Sequence, residues 1–140
     1  MRLYHKVMSH KDAIVAALKP GISGTTSRIG GTAENAGAGL FFTKCIAQST
    51  RNHFLIYSGD AYFKLNLTPS GRDIHFSADP EGDCHTTKDE LPYFQGTLIG
   101  IDVIISDTRA FNALIEKIGS AYQLNVKQTK KDYYKKIRFI

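Results

Sequence analysis

The chain has 140 residues, 42% of them hydrophobic, and a formal net charge of +5. That length predicts one domain with enough apolar content for a core; the polar start Met1-Arg2-Leu3-Tyr4-His5-Lys6 and the lack of a membrane-length apolar run argue against a signal sequence or spanning helix and point to the cytoplasm. Cys45 and Cys84 have neither the number nor the spacing of a disulfide framework or a zinc site, and Cys45 reads as a buried free thiol.

Residues 9–18 predict a first helix, with Ser9 or Asp12 as cap, Ile14, Val15 and Leu18 at helical spacing, and Pro20-Gly21 as the stop. Residues 21–36 carry Gly21, Gly24, Gly30 and Gly31 among serines and threonines. They lack a hydrophobic period and read as a long functional loop. A second helix is expected over 38–48, capped by Asn35, with Phe41, Phe42, Cys45 and Ile46 on one stripe. Residues 54–57 and 62–67 follow as two strands joined by Ser58-Gly59-Asp60, a hairpin signal.

Residues 71–77 read as a weaker third strand and 78–91 as an exposed polar loop. Residues 95–105 are the most hydrophobic strand, and that near-continuous apolar run predicts a central position covered on both faces. Asp107 caps a helix over 108–121, with Phe111, Leu114, Ile115 and Ile118 on one face and Gly119 near its end. Beyond Leu124 the chain carries Lys127, Lys130, Lys131, Lys135, Lys136 and Arg138 against Asp132 alone, which accounts for the whole positive excess. This segment reads either as one or two short strands around a basic turn or as a loosely docked tail. The organisation expected is thus a domain over 1–122 with a mobile loop at 20–37, and a basic tail over 123–140. A solvated terminus is preferred there over nucleic-acid contact.

A glycine-rich loop that feeds a helix start suits phosphate, because the first turn of a helix carries unpaired N–H groups and a partial positive charge. The spacing excludes two common phosphate motifs. Gly24 to Thr32 lacks the lysine and the interval of a P-loop, and Gly37-Ala38-Gly39 has Phe42 where a dinucleotide fingerprint needs its third glycine. Asp83-Cys84-His85 reads as a polar loop rather than the beginning of a metal site, since no second ligand pair is suitably spaced.

The order of segments does resemble a known family. Asn35-Ala36-Gly37-Ala38-Gly39-Leu40-Phe41-Phe42-Thr43-Lys44, then His53 to Tyr62, then Phe94-Gln95-Gly96-Thr97-Leu98-Ile99-Gly100-Ile101, is similar to the later part of histidine-kinase-like ATPase domains, the GHKL or Bergerat-fold superfamily. Residues 12–18 with Gly21-Ile22-Ser23 resemble the helix and lid entry of its stand-alone bacterial members, which work in signalling. The resemblance implies an α+β two-layer sandwich, helices on one face of a mostly antiparallel sheet, with ATP and magnesium as ligands. It places Gly37, Gly39 and Leu40 on the phosphates, Ser23, Gly24 and Arg28 in the lid, and Thr97 at the base of the adenine pocket. Lys44 matches a lysine common in that helix and reads as a solvated surface residue.

The family's asparagine helix, its general-base glutamate and its Asp-x-Gly-x-Gly turn have no counterpart upstream of the loop. A hydrogen bond to a charged group contributes about 1.5–3 kcal/mol, so loss of the aspartate contact alone weakens nucleotide binding by roughly ten- to a hundredfold. Loss of metal coordination and the base removes phosphoryl transfer. The expectation is therefore a truncated ATP-binding domain with weak or lost nucleotide binding and no catalysis as an isolated chain. The alternative is an interaction module on the same scaffold. A domain without its first half should expose sheet edge and apolar surface, suited to a homodimer or to a partner chain that completes the sheet.

Overall fold

In the computed structural model the described residues are 9–22, 38–69, 71–104 and 107–138. The first helix, α1 (His10–Leu18), starts where Ser9 Oγ accepts the backbone N–H of Asp12, and it buries Ile14, Val15 and Leu18. Helix α2 (Gly39–Ser49) follows, then strands β1 (Phe54–Gly59) and β2 (Ala61–Leu65), with Asp60 alone between them. Strands β3 (His85–Lys88) and β4 (Phe94–Ile101) complete a four-stranded sheet in the order β3-β2-β1-β4, and helix α3 (Thr108–Arg138) comes last. All three strand pairings are antiparallel, so the class is α+β.

Strand register explains the first core cluster. Phe54 pairs with Leu65, Ile56 with Phe63 and Ser58 with Ala61, so these side chains share one face, and Ile14 and Leu18 of α1 pack among them. Leu40 and Ile101 close its margin. A second cluster joins α2 to α3 through Phe41 and Cys45 against Ile118, Tyr122 and Val126, which recur every fourth residue along one helical face.

Four expectations are corrected. Helix α3 does not end near Gly119 or give way to strands or a loose tail; its 31 residues run unbroken to Arg138. No proline interrupts it, and Gly119 is a point of close approach, where an added Cβ would lie 3.9 Å from Phe42 Cζ. Residues 71–77 form no strand, because their carbonyls go to side chains. Arg51 donates to Arg72 O, Gln48 to His75 O and Lys44 to Ser77 O. The missing strand is instead β3, inside the stretch read as loop, where Thr86 and Thr87 supply β-branched residues opposite Lys64 and Phe63.

Strand β4 is the fourth correction. It lies at the sheet edge, with Phe94 48%, Leu98 57% and Ile99 43% exposed. Its hydrophobicity reflects apolar surface left uncovered among the described residues, not a central position. The pairing with β1 also slips, from Ser58 opposite Thr97 to Gly59 opposite Phe94, and the bulge is made by Gly96 at φ +135°.

Candidate functional site

Gly39 is the first residue of α2, behind an Ala38 cap that offers no side-chain hydrogen bond. Among the described residues, a Cβ built on Gly39 would meet nothing within 4 Å. Leu40 turns the other way and packs on the first core cluster. Gly37, Ser23, Gly24 and Arg28, together with the Asn35 cap, lie outside the described residues. Thr97 sits on β4, with its hydroxyl 3.0 Å from that of Ser58. Of the proposed nucleotide residues, Gly39, Leu40 and Thr97 are therefore located; Leu40 borders the first core cluster, as does Ile101 on the strand that carries Thr97.

Lys44 is not a solvated residue. It is fully buried, and its Nζ donates to Asp83 Oδ2 at 2.5 Å and to Ser77 O at 3.3 Å. Gln48 donates through Nε2 to Asp83 Oδ1 at 3.3 Å and to His75 O at 3.1 Å, while its Oε1 is buried without a partner. The charge expected at the surface thus anchors the segment before β3. Asp83 is committed to this pair, and His85 donates from Nδ1 to Asp83 O at 2.7 Å while stacking on Phe63. Beside the pair, burial pushes the Cys45 thiol up to about 12, opposed by Lys44 and reinforced by Asp83.

A second polar contact holds α1 to the hairpin. His10 Nδ1 lies 2.9 Å from Asp60 Oδ1 and 3.3 Å from the backbone nitrogen of Asp60, so one ring nitrogen faces both polar groups of that residue. The imidazole fills the space a side chain at Gly59 would need, its Cγ and Nδ1 overlapping the position of an ideal Cβ, and Gly59 adopts φ +64°. The tight β1–β2 turn and this ring select glycine together.

Among the described residues, the largest uncommitted feature is the outer edge of β4, on which no further strand pairs. The backbone N–H of Asp102 donates to His53 O at 3.0 Å, which continues the β1–β4 ladder by one pair. Antiparallel ladders alternate, so the N–H and C=O groups of Ile101, Ile99 and Thr97 point away from β1, toward the open side. The strand contains no charged residue from Phe94 to Ile101. Tyr93, Val103 and Ile104 extend the exposed apolar surface at its two ends.

No family decides the reading. No protein-family model matches the chain, and no curated protein or solved structure matches it. Among the described residues no helix is long and apolar enough to cross a membrane. The edge residues are visible in the sequence as a hydrophobic strand; their uncharged run is the signal for an edge that invites pairing.

Proposed function

We propose that the chain is a protein-interaction module that acts through the free edge of β4, on a scaffold similar to a truncated histidine-kinase-like ATPase domain. The observation that carries this reading is an uncharged edge strand whose main-chain groups at Thr97, Ile99 and Ile101 have no partner among the described residues, with Leu98 and Ile99 exposed. Isolated proteins usually blunt such an edge with charge, proline or a cover. Covering the half-exposed Phe94, Leu98 and Ile99 returns roughly half of the ~1.5–3 kcal/mol each would give on full burial. Association costs about 4–15 kcal/mol, so the hydrogen bonds of the edge are needed as well as its apolar contacts, and the affinity is modest. Strand addition supplies both, with the main chain giving affinity and alternate side chains giving selectivity.

The test is an NMR titration of the dilute chain with a short synthetic peptide of alternating threonine and valine. Amide shifts should move at Thr97, Ile99 and Ile101 and their neighbours. At a concentration where the chain is monomeric, an unchanged spectrum at millimolar peptide, or changes confined to α2, overturns the proposal.

A second reading is favoured by the start of α2 at Gly39, where Ala38 gives no side-chain cap and no described residue fills the Cβ position. It is a residual phosphate site that retains weak affinity for ATP and magnesium without catalysis. A thermal-shift titration with a non-hydrolysable ATP analogue and magnesium tests it. A saturable rise that disappears in a Gly37→Val, Gly39→Val variant supports the site, and no shift at millimolar nucleotide removes it.

A further inference from the structure

The geometry of the edge selects its occupant. Among residues 97–101 the outward main-chain groups belong to Thr97, Ile99 and Ile101, spaced symmetrically about Ile99. A strand that pairs with its own copy in antiparallel fashion must place each residue opposite its mirror position about one centre. Centred on Ile99, Ile99 faces its own copy, Thr97 faces the copy's Ile101, and Leu98 faces the copy's Gly100. Every outward N–H and C=O of the three residues then finds a partner. On that register the side-chain match is also good. Gly100 has open space where a Cβ would stand, which leaves room for the opposing Leu98, and Thr97, Ile99 and Ile101 form a row of β-branched pairs.

Other centres do worse. A centre between two residues pairs an outward-facing residue with an inward-facing one, which breaks the ladder. A centre on Gly100 sets Leu98 opposite the copy's Asp102, and a centre on Leu98 carries Ile101 onto Gln95, where Gly96 bulges the strand. The absence of charge at Leu98, Ile99 and Gly100 matters most here, because a charge at any of these three positions would face or neighbour its own like-charged image across the axis.

Resting on the reading of β4 as an interaction edge, we infer that its occupant is a second copy of this chain, paired antiparallel about a two-fold axis at Ile99. The two sheets then join into one continuous sheet in the order β3-β2-β1-β4-β4-β1-β2-β3.

The experiment is sedimentation equilibrium of the full chain from low micromolar to hundreds of micromolar, with Ile99→Lys and Ile99→Glu made separately. The wild type should approach twice the 15.5 kDa chain mass as concentration rises. Each variant alone should stay monomeric, because its new charge meets its own image at the axis. An equimolar mixture should dimerise, because the introduced lysine and glutamate then face each other.

Hydrogen exchange on the wild type provides a readout that does not depend on the variants folding. Dilution should speed exchange at Thr97, Ile99 and Ile101 while leaving Leu98 and Gly100, which point to β1, unchanged. A wild type that stays monomeric throughout overturns the inference. So does a dimer that persists in both variants, a mixture of folded variants that stays monomeric, or an exchange pattern without the alternation. A monomeric chain that still takes up the threonine–valine peptide overturns the second copy alone and leaves the interaction edge standing, whereas a chain that does neither overturns both.

Discussion

Lys44 donates its ammonium to Asp83 Oδ2 at 2.5 Å, with both side chains out of solvent, and so binds α2 to a segment 39 residues further along the chain. Removing one member leaves the other as an uncompensated buried charge, whereas removing both restores neutrality. Lys44→Met should cost about 3–5 kcal/mol, and the double variant Lys44→Met, Asp83→Leu should recover much of that loss. Urea unfolding of the wild type, both single variants and the double variant gives the coupling directly. Additive losses would remove the pair from the account of stability.

The His10–Gly59 contact makes a separate prediction. Gly59→Ala should destabilise by more than the ~1–2 kcal/mol of a left-handed non-glycine residue, because the imidazole of His10 also occupies the Cβ position. His10→Ala in the same background should relieve the steric part and leave the backbone part. A double-mutant cycle in thermal unfolding separates the two, and a Gly59→Ala penalty unaffected by the loss of His10 would show that the ring yields freely.

Gly119 should accept a methyl group with gain. It lies inside α3, and an added Cβ would make ordinary contact with Phe42 at 3.9 Å. Gly119→Ala should therefore raise stability by about 0.5–1 kcal/mol through helix propensity and a less flexible unfolded chain. A larger residue should reverse the sign by pushing α3 off α2. Denaturant midpoints for alanine and leucine variants check both directions.

Cys45 and Cys84 should differ sharply toward thiol reagents. Cys45 is buried and its thiol is pushed up to about 12, while Cys84 is exposed. At pH 8 the native protein should react at one thiol and the unfolded protein at two. The sign of the linked stability follows from the raised folded value. The contribution of Cys45 is complete below its ordinary value of 9.0 and is lost as pH rises from there through about 12. Unfolding midpoints of wild type and Cys45→Ala, compared across that window, should draw closer as the pH increases.

The hairpin, α1 and the start of α2 were legible because their signals are local: Ser9 followed by Asp12, Gly59-Asp60 between apolar runs, and Phe41 and Cys45 four residues apart. Strand β4 was found but misplaced. Hydrophobicity records that a strand avoids water, and it does not say whether the cover comes from the same chain. The continuation of α3 was available in the spacing of Ile118, Tyr122 and Val126, but the lysines beyond them masked it. The partner of Lys44 could not be read at all, since nothing near Asp83 in sequence announces a contact with α2. Of the expected nucleotide residues, Gly39 fell where the glycine box predicted a helix start, and Thr97 fell on the expected strand.

The capture of main-chain carbonyls at Arg72, His75 and Ser77 by Arg51, Gln48 and Lys44 has a consequence for how the sequence can drift. A carbonyl oxygen is common to every residue type, so Arg72 and His75 are free to change identity while still being held. The three donors have no such freedom, because each needs its own length and number of N–H groups. Substitutions tolerated over time should therefore accumulate in the held segment and spare Lys44 and Gln48 of α2 and Arg51 just beyond its end.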